Sequence, residues 1–100
     1  MSLYTIYVTP ETWQEIKKLP GNMRQRIRRT VGDLSENPRP DNSKPLSLPS
    51  MEIEARRLRL DRWRIIYTIA EEDKIVDILA VRKRPPYNYE DLQALLTNFD

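Results

Sequence analysis

The chain has 100 residues, 39% of them hydrophobic, and carries 17 Lys+Arg against 15 Asp+Glu for a formal net charge of +2. That length supports a single domain around one core, expected over residues 1–100, with no room for a regulatory module. Cysteine and histidine are both absent, which excludes disulfides, thiolate nucleophiles, the common zinc cages and an imidazole acid or base, so any chemistry falls to Arg, Lys, Tyr, Asp or Glu.

The opening "MSLYTIYVTP" lacks the basic and long apolar regions of a signal peptide, and no run approaches the ~20 apolar residues of a membrane span. A cytoplasmic protein with no membrane partner is expected. Within that opening, "LYTIYV" (3–8) is β-branched and aromatic and predicts a first strand. Thr9 then offers an N-cap and Pro10 a first helical residue, with Trp13, Ile16 and Leu19 as the apolar stripe of a short helix. "LPG" ends it, and Asn22 is placed to cap a second helix whose stripe is Met23, Ile27, Val31 and Leu34 and whose remainder is rich in Arg24, Arg26, Arg28 and Arg29.

The segment "NPRPDNSKPLSLPS" (37–50) holds four of the eight prolines and no periodicity, so it reads as a loop. "IEARRLRL" (53–60), "WRIIYTIA" (63–70) and "IVDILAV" (75–81) follow as a three-strand meander turning at Asp61-Arg62 and at "EEDK". Asn88 is placed to cap a predicted short terminal helix with Glu90 and Asp91 in its first turn and Leu92, Leu95 and Leu96 on one face. The order β-α-α-β-β-β-α predicts an α+β fold: an N-terminal strand, a helical hairpin covering one face of a small antiparallel sheet, and the other face left for function.

Charge is unevenly placed. From Ile53 to Arg84 nine cations stand against six anions, and three of those anions crowd the turn at Glu71, Glu72 and Asp73. A polyanionic partner follows. Side chains two apart on a strand share a face, so Arg57 and Arg59 point together, with Arg64 just past the turn and Arg84 closing the next strand. Guanidinium is planar, permanently charged and bidentate, which suits phosphate. Trp63, Tyr67, Tyr87 and Tyr89 add rings that either stack on unpaired bases or, for Trp63 and Tyr67, fill the core.

"RLRLDRWRIIYTI" (57–69) and "VRKRPPYNYEDL" (81–92), together with the element order, resemble the RelE/ParE toxin superfamily, nearer its RelE branch, over essentially the whole chain. The resemblance implies a toxin of a type II toxin–antitoxin pair, held by a cognate antitoxin in an oligomeric complex, that cuts messenger RNA in the ribosome. Carried over by position, it implies Arg64 and Arg84 as catalytic residues with Tyr87 or Tyr89 as the tyrosine of the site, and Arg57 and Arg59 as basic RNA contacts; the charge pattern adds Arg62, Arg82 and Lys83, and the ring of Tyr89, as candidate RNA contacts. Tyr87 is preferred to Tyr89 as the acting tyrosine because it follows the rigid Pro85-Pro86. Two positions depart from the pattern: Ala55 stands where it has a lysine, and "LDRW" replaces the usual turn glycine.

The chemistry is compatible with an enzyme lacking histidine, because RNA supplies its own 2′-hydroxyl nucleophile. Arginines stabilise the phosphorane oxygens and a tyrosine among cations can take the proton, with no metal and no cofactor expected. The alternative is a ParE-like inhibitor of DNA gyrase, which shares the fold and acts by binding alone.

Overall fold

A computed structural model describes residues 3–46 and 53–83. Its elements, in chain order, are β1 (Thr5–Val8), α1 (Pro10–Lys17), α2 (Gly21–Asp33), β2 (Ser43–Leu46), β3 (Glu54–Leu60), β4 (Trp63–Ala70) and β5 (Ile75–Lys83). The α+β class, the leading strand, the two helices and the meander are as expected. β2 is additional, inside the segment read as loop, and the expected terminal helix lies outside the described residues.

The strands form one five-stranded sheet in the order β1-β5-β4-β3-β2. β2 through β5 are antiparallel neighbours, whereas β1 pairs in parallel with β5, Thr5 opposite Ile75 and Val8 opposite Ile78. The sheet is therefore mixed rather than purely antiparallel. After β1 the chain runs through both helices to the far edge, and the meander then steps back strand by strand until β5 meets β1 with the same direction.

Thr9 caps α1 as its sequence suggests, its hydroxyl accepting from the Thr12 amide at 3.3 Å. α2 begins one residue before the predicted cap: Pro20 occupies the cap with an extended ψ of 148° and no side-chain hydrogen bond. Asn22, the predicted cap, only accepts from the neighbouring Met23 amide. Ile16, Leu19, Ile27, Val31 and Leu34 pack on Leu58, Ile65, Tyr67, Ile69, Val76 and Ile78, which are the alternate residues of β3, β4 and β5. Trp13 leaves the expected stripe and stays 37% exposed, with Lys17 and Arg28 each under 6 Å from its ring centre.

Two edge details bear on the site. β5 outruns β1, and the amide of Val81 donates to the Glu15 carboxylate of α1, which covers the unpaired edge. A bulge in the β4–β5 pairing, between Ile66/Ala80 and Tyr67/Ile78, makes Leu79 an extra residue on β5. It reverses the alternation, so Val81 enters the core while Ala80 and Arg82 turn to the face away from the helices, in register with Ile66 and Arg64.

The end of the sheet near the β4–β5 turn is tied by ion pairs. Arg39 donates to Glu54 through Nε and Nη2 at 2.9 and 2.8 Å and reaches Glu71 at 3.2 Å, while Lys74 and the Tyr4 hydroxyl also bond Glu71. Glu71 is held down to about 2, first by Lys74 and then by Tyr4 and Arg39, and Glu54 is lowered chiefly by Arg39. Tyr67 is fully buried, its hydroxyl donating to the Pro38 carbonyl at 2.7 Å, and burial raises its pKa.

Candidate phosphate-binding cleft

The opposite end of the sheet is built around the β3–β4 turn. Leu60 pairs with Trp63, leaving Asp61 and Arg62 as a two-residue loop. Asp61 adopts a φ of 54°, the left-handed region that the absent glycine would otherwise supply; Asp tolerates it better than most residues, at a cost of ~1–2 kcal/mol. Its carboxylate is engaged by Arg26 of α2 at 2.5 Å. Its carbonyl, with that of Trp63, accepts from Nη1 of Arg64, both at 2.9 Å.

Arg64 is only 5% exposed. A cation at that depth is costly unless hydrogen-bonded, and the two turn carbonyls supply that bonding while fixing the plane of the guanidinium. The hairpin register sets Arg59 opposite Arg64 and Arg57 opposite Ile66, so the three arginines share the face away from the helices. β2 extends that face. Lys44 lies opposite Arg57, and Asn42 locks the strand in place, its carbonyl accepting from the Arg59 amide at 2.9 Å and its Nδ2 donating to the Arg59 carbonyl at 3.0 Å.

These residues enclose a cleft of about 640 Å³ lined by Asp41, Asn42, Lys44, Arg57, Arg59, Leu60, Asp61 and Arg64. Four cations thus stand against two carboxylates, one of them already bound to Arg26. A concave wall with excess positive charge concentrates anions, and planar guanidinium groups fit a phosphate edge.

The sequence-predicted residues separate into groups. Arg57, Arg59 and Arg64 meet in the cleft. Arg62 sits on the turn and lines a second hollow with Met23, Arg59, Asp61 and Trp63. Arg82 is in register with Arg64 but forms an ion pair with Glu15, and Lys83 pairs with Trp63 on the alternate register. Trp63 packs against the core and Tyr67 is enclosed in it, so neither is the exposed stacking ring considered above; the alternation of β4 aims both at the helices. Arg84, Tyr87 and Tyr89 lie outside the described residues. Lys44 of β2, and Asn42 and Asp41 just before it, were not expected, because that strand was not.

A five-stranded mixed sheet under a helical hairpin is the fold shared with solved RelE structures. The chain aligns with the RelE–RelB complex of Pyrococcus horikoshii at a TM-score of 0.75 and 22% identity, over 85% of this chain and 99% of that one. For the toxin–antitoxin complex RelBE2 of Mycobacterium tuberculosis the values are 0.69 and 29%, over 86% and 97%. For a variant of Escherichia coli RelE in the free state they are 0.68 and 20%, over the full length of both chains. No curated protein sequence matches the chain. The profile of the ParE toxin of the type II toxin–antitoxin system parDE matches residues 6–85. The protein belongs to this family, within the RelE/ParE superfamily.

Proposed function

We propose that the protein is the toxin of a type II pair and that it cleaves messenger RNA by metal-independent attack of the 2′-hydroxyl on the adjacent phosphate. The observation that carries this reading is Arg64, a buried guanidinium oriented by two carbonyls in a cleft whose wall holds three further cations. The 2′-oxygen–phosphorus bond forms as the phosphorus–O5′ bond breaks. The proton leaves the 2′-hydroxyl to a general base, for which Tyr87 is assigned by its place in the sequence, and a proton reaches the departing 5′-oxygen. Arg64, with Arg84 by the same sequence assignment, stabilises the charge that builds on the phosphorane oxygens. The products would be a 2′,3′-cyclic phosphate and a 5′-hydroxyl.

One physical feature supports cleavage: the Arg64 guanidinium is pre-oriented by the turn carbonyls, as stabilisation of a developing charge requires. A cognate antitoxin is the expected protein partner, since two of the three similar structures described above are toxin–antitoxin complexes. The ribosome is the expected site of action, and the cytoplasm the compartment.

One observation favours a second reading. The matching family profile is that of ParE, and ParE-like members act on gyrase by binding. The test is to induce the protein in bacteria, map transcript 5′ ends and assay gyrase supercoiling in parallel. New 5′-hydroxyl ends with normal supercoiling support cleavage; intact transcripts with inhibited supercoiling transfer the case to gyrase. Comparing Tyr87→Phe with Tyr89→Phe in single-turnover cleavage checks the proton acceptor, since only the hydroxyl is removed. Loss in Tyr89→Phe alone would reverse the assignment.

A further inference from the structure

We infer that Lys44 binds the RNA strand at the phosphate next to the one that reacts at Arg64, a role that rests on the RNA reading above. β2 pairs with β3 so that Lys44 stands directly opposite Arg57, which places both cations over the same wall of the cleft. Its backbone is held on both sides. Asn42 ties the strand to Arg59 by two hydrogen bonds. Pro45 follows, and a residue before proline is restricted to extended conformations, so Lys44 is kept in the strand. Proline also suits a sheet edge, where its missing amide leaves no donor for another strand.

Ala55 is 3% exposed, between Leu46 of β2 and Thr68 of β4, so this face is apolar there. Lys44 lies one strand over and two residues nearer the turn, so the positive charge on this face is shifted toward the turn.

The shift fixes which phosphate it meets. Lys44 is two strands and two register steps from Arg64, roughly 10 Å across the sheet and 7 Å along it. The Arg64 guanidinium turns away from it, toward the Asp61 and Trp63 carbonyls. With that guanidinium held on the turn carbonyls, Lys44 is placed to take the neighbouring phosphate of a strand lying along the cleft. It is a binding residue, acting on affinity and not on bond cleavage.

The experiment uses a fluorescent single-stranded oligoribonucleotide. Its Kd is measured by anisotropy over a salt series with Arg64→Ala protein, so that the strand survives, with and without Lys44→Gln, which keeps most of the stem and removes the charge. The Kd should rise roughly fivefold at 0.1 M salt, and the slope of log Kd against log salt should fall by about 0.7, the loss of one single-strand phosphate contact. Lys44→Arg should restore both. With Arg64 intact, Lys44→Gln should leave the single-turnover rate at saturating RNA within about twofold of wild type. Unchanged Kd and slope would overturn the inference, as would a collapsed saturating rate with unchanged binding. A wild-type protein that neither binds nor cuts RNA, on or off the ribosome, would remove the RNA reading and this inference with it.

Discussion

The two ends of the sheet treat positive charge in opposite ways. Near the β4–β5 turn, Arg39, Arg56 and Lys74 are each matched to Glu54 or Glu71 in one ion-paired cluster. Near the β3–β4 turn, Lys44, Arg57, Arg59 and Arg64 line a cleft with Asp41 and Asp61, of which Asp61 already holds Arg26. The first arrangement closes the fold by tying the connection after α2 to the sheet. The second accumulates like charge, which is unfavourable in the empty protein and favourable once an anion enters. Similar residue types therefore serve stability at one end and, on the proposed reading, binding at the other.

The largest effect should come from Arg64→Ala. Losing one pre-oriented donor to a developing oxyanion costs on the order of 3 kcal/mol of transition-state stabilisation, a fall of about 10²-fold or more in single-turnover rate, with the fold retained by circular dichroism. Arg64→Lys should recover little, because an ammonium cannot bridge two phosphate oxygens. A folded Arg64→Ala protein that still cuts would place the chemistry elsewhere.

Arg39→Ala should do the reverse. It removes a partly exposed bidentate pair, discounted for solvent to about 1 kcal/mol, or a Tm lower by roughly 4–8 °C. Calorimetry should show that drop while the cleavage rate of the folded protein is unchanged.

Acid sharpens the same contrast. Glu71 and Glu54 have pKa values depressed in the folded state. Their contribution is fully present above the ordinary glutamate range and is lost as pH falls through the folded values, down to about 2 for Glu71. Urea midpoints should decline over that window in wild type and decline less in Glu54→Gln.

The smallest effect concerns Asp77, buried on β5 with its pKa raised by desolvation. A raised carboxyl pKa means that the ionised form opposes folding at neutral pH. Asp77→Asn should therefore raise Tm slightly at pH 7, and the difference should vanish as wild-type Asp77 protonates in acid. A lower Tm at both pH values would show that its carboxylate has a structural partner.

Legibility in the sequence followed the same division. Arg57, Arg59 and Arg64 could be placed on one face because period-two alternation and a two-residue turn fix a hairpin locally. β2 could not be seen: "SKPL" has no alternation, a lysine and a proline, and is a strand only because β3 offers it a partner. Lys44 was missed with it. The parallel β1–β5 pair and the bulge at Leu79 depend on contacts distant in sequence, so no local pattern announces them. Trp13 misled, since an aromatic at helical spacing implies burial, yet the helix turns it outward beside Lys17 and Arg28.

Amide chemical-shift mapping of the Arg64→Ala protein titrated with a single-stranded oligoribonucleotide tests the division of the sheet most directly. The account predicts saturable shifts at Asn42, Lys44, Arg57 and Arg59, with Glu54, Glu71 and Lys74 unmoved. Shifts centred on the ion-paired end, with the cleft residues silent, would contradict it.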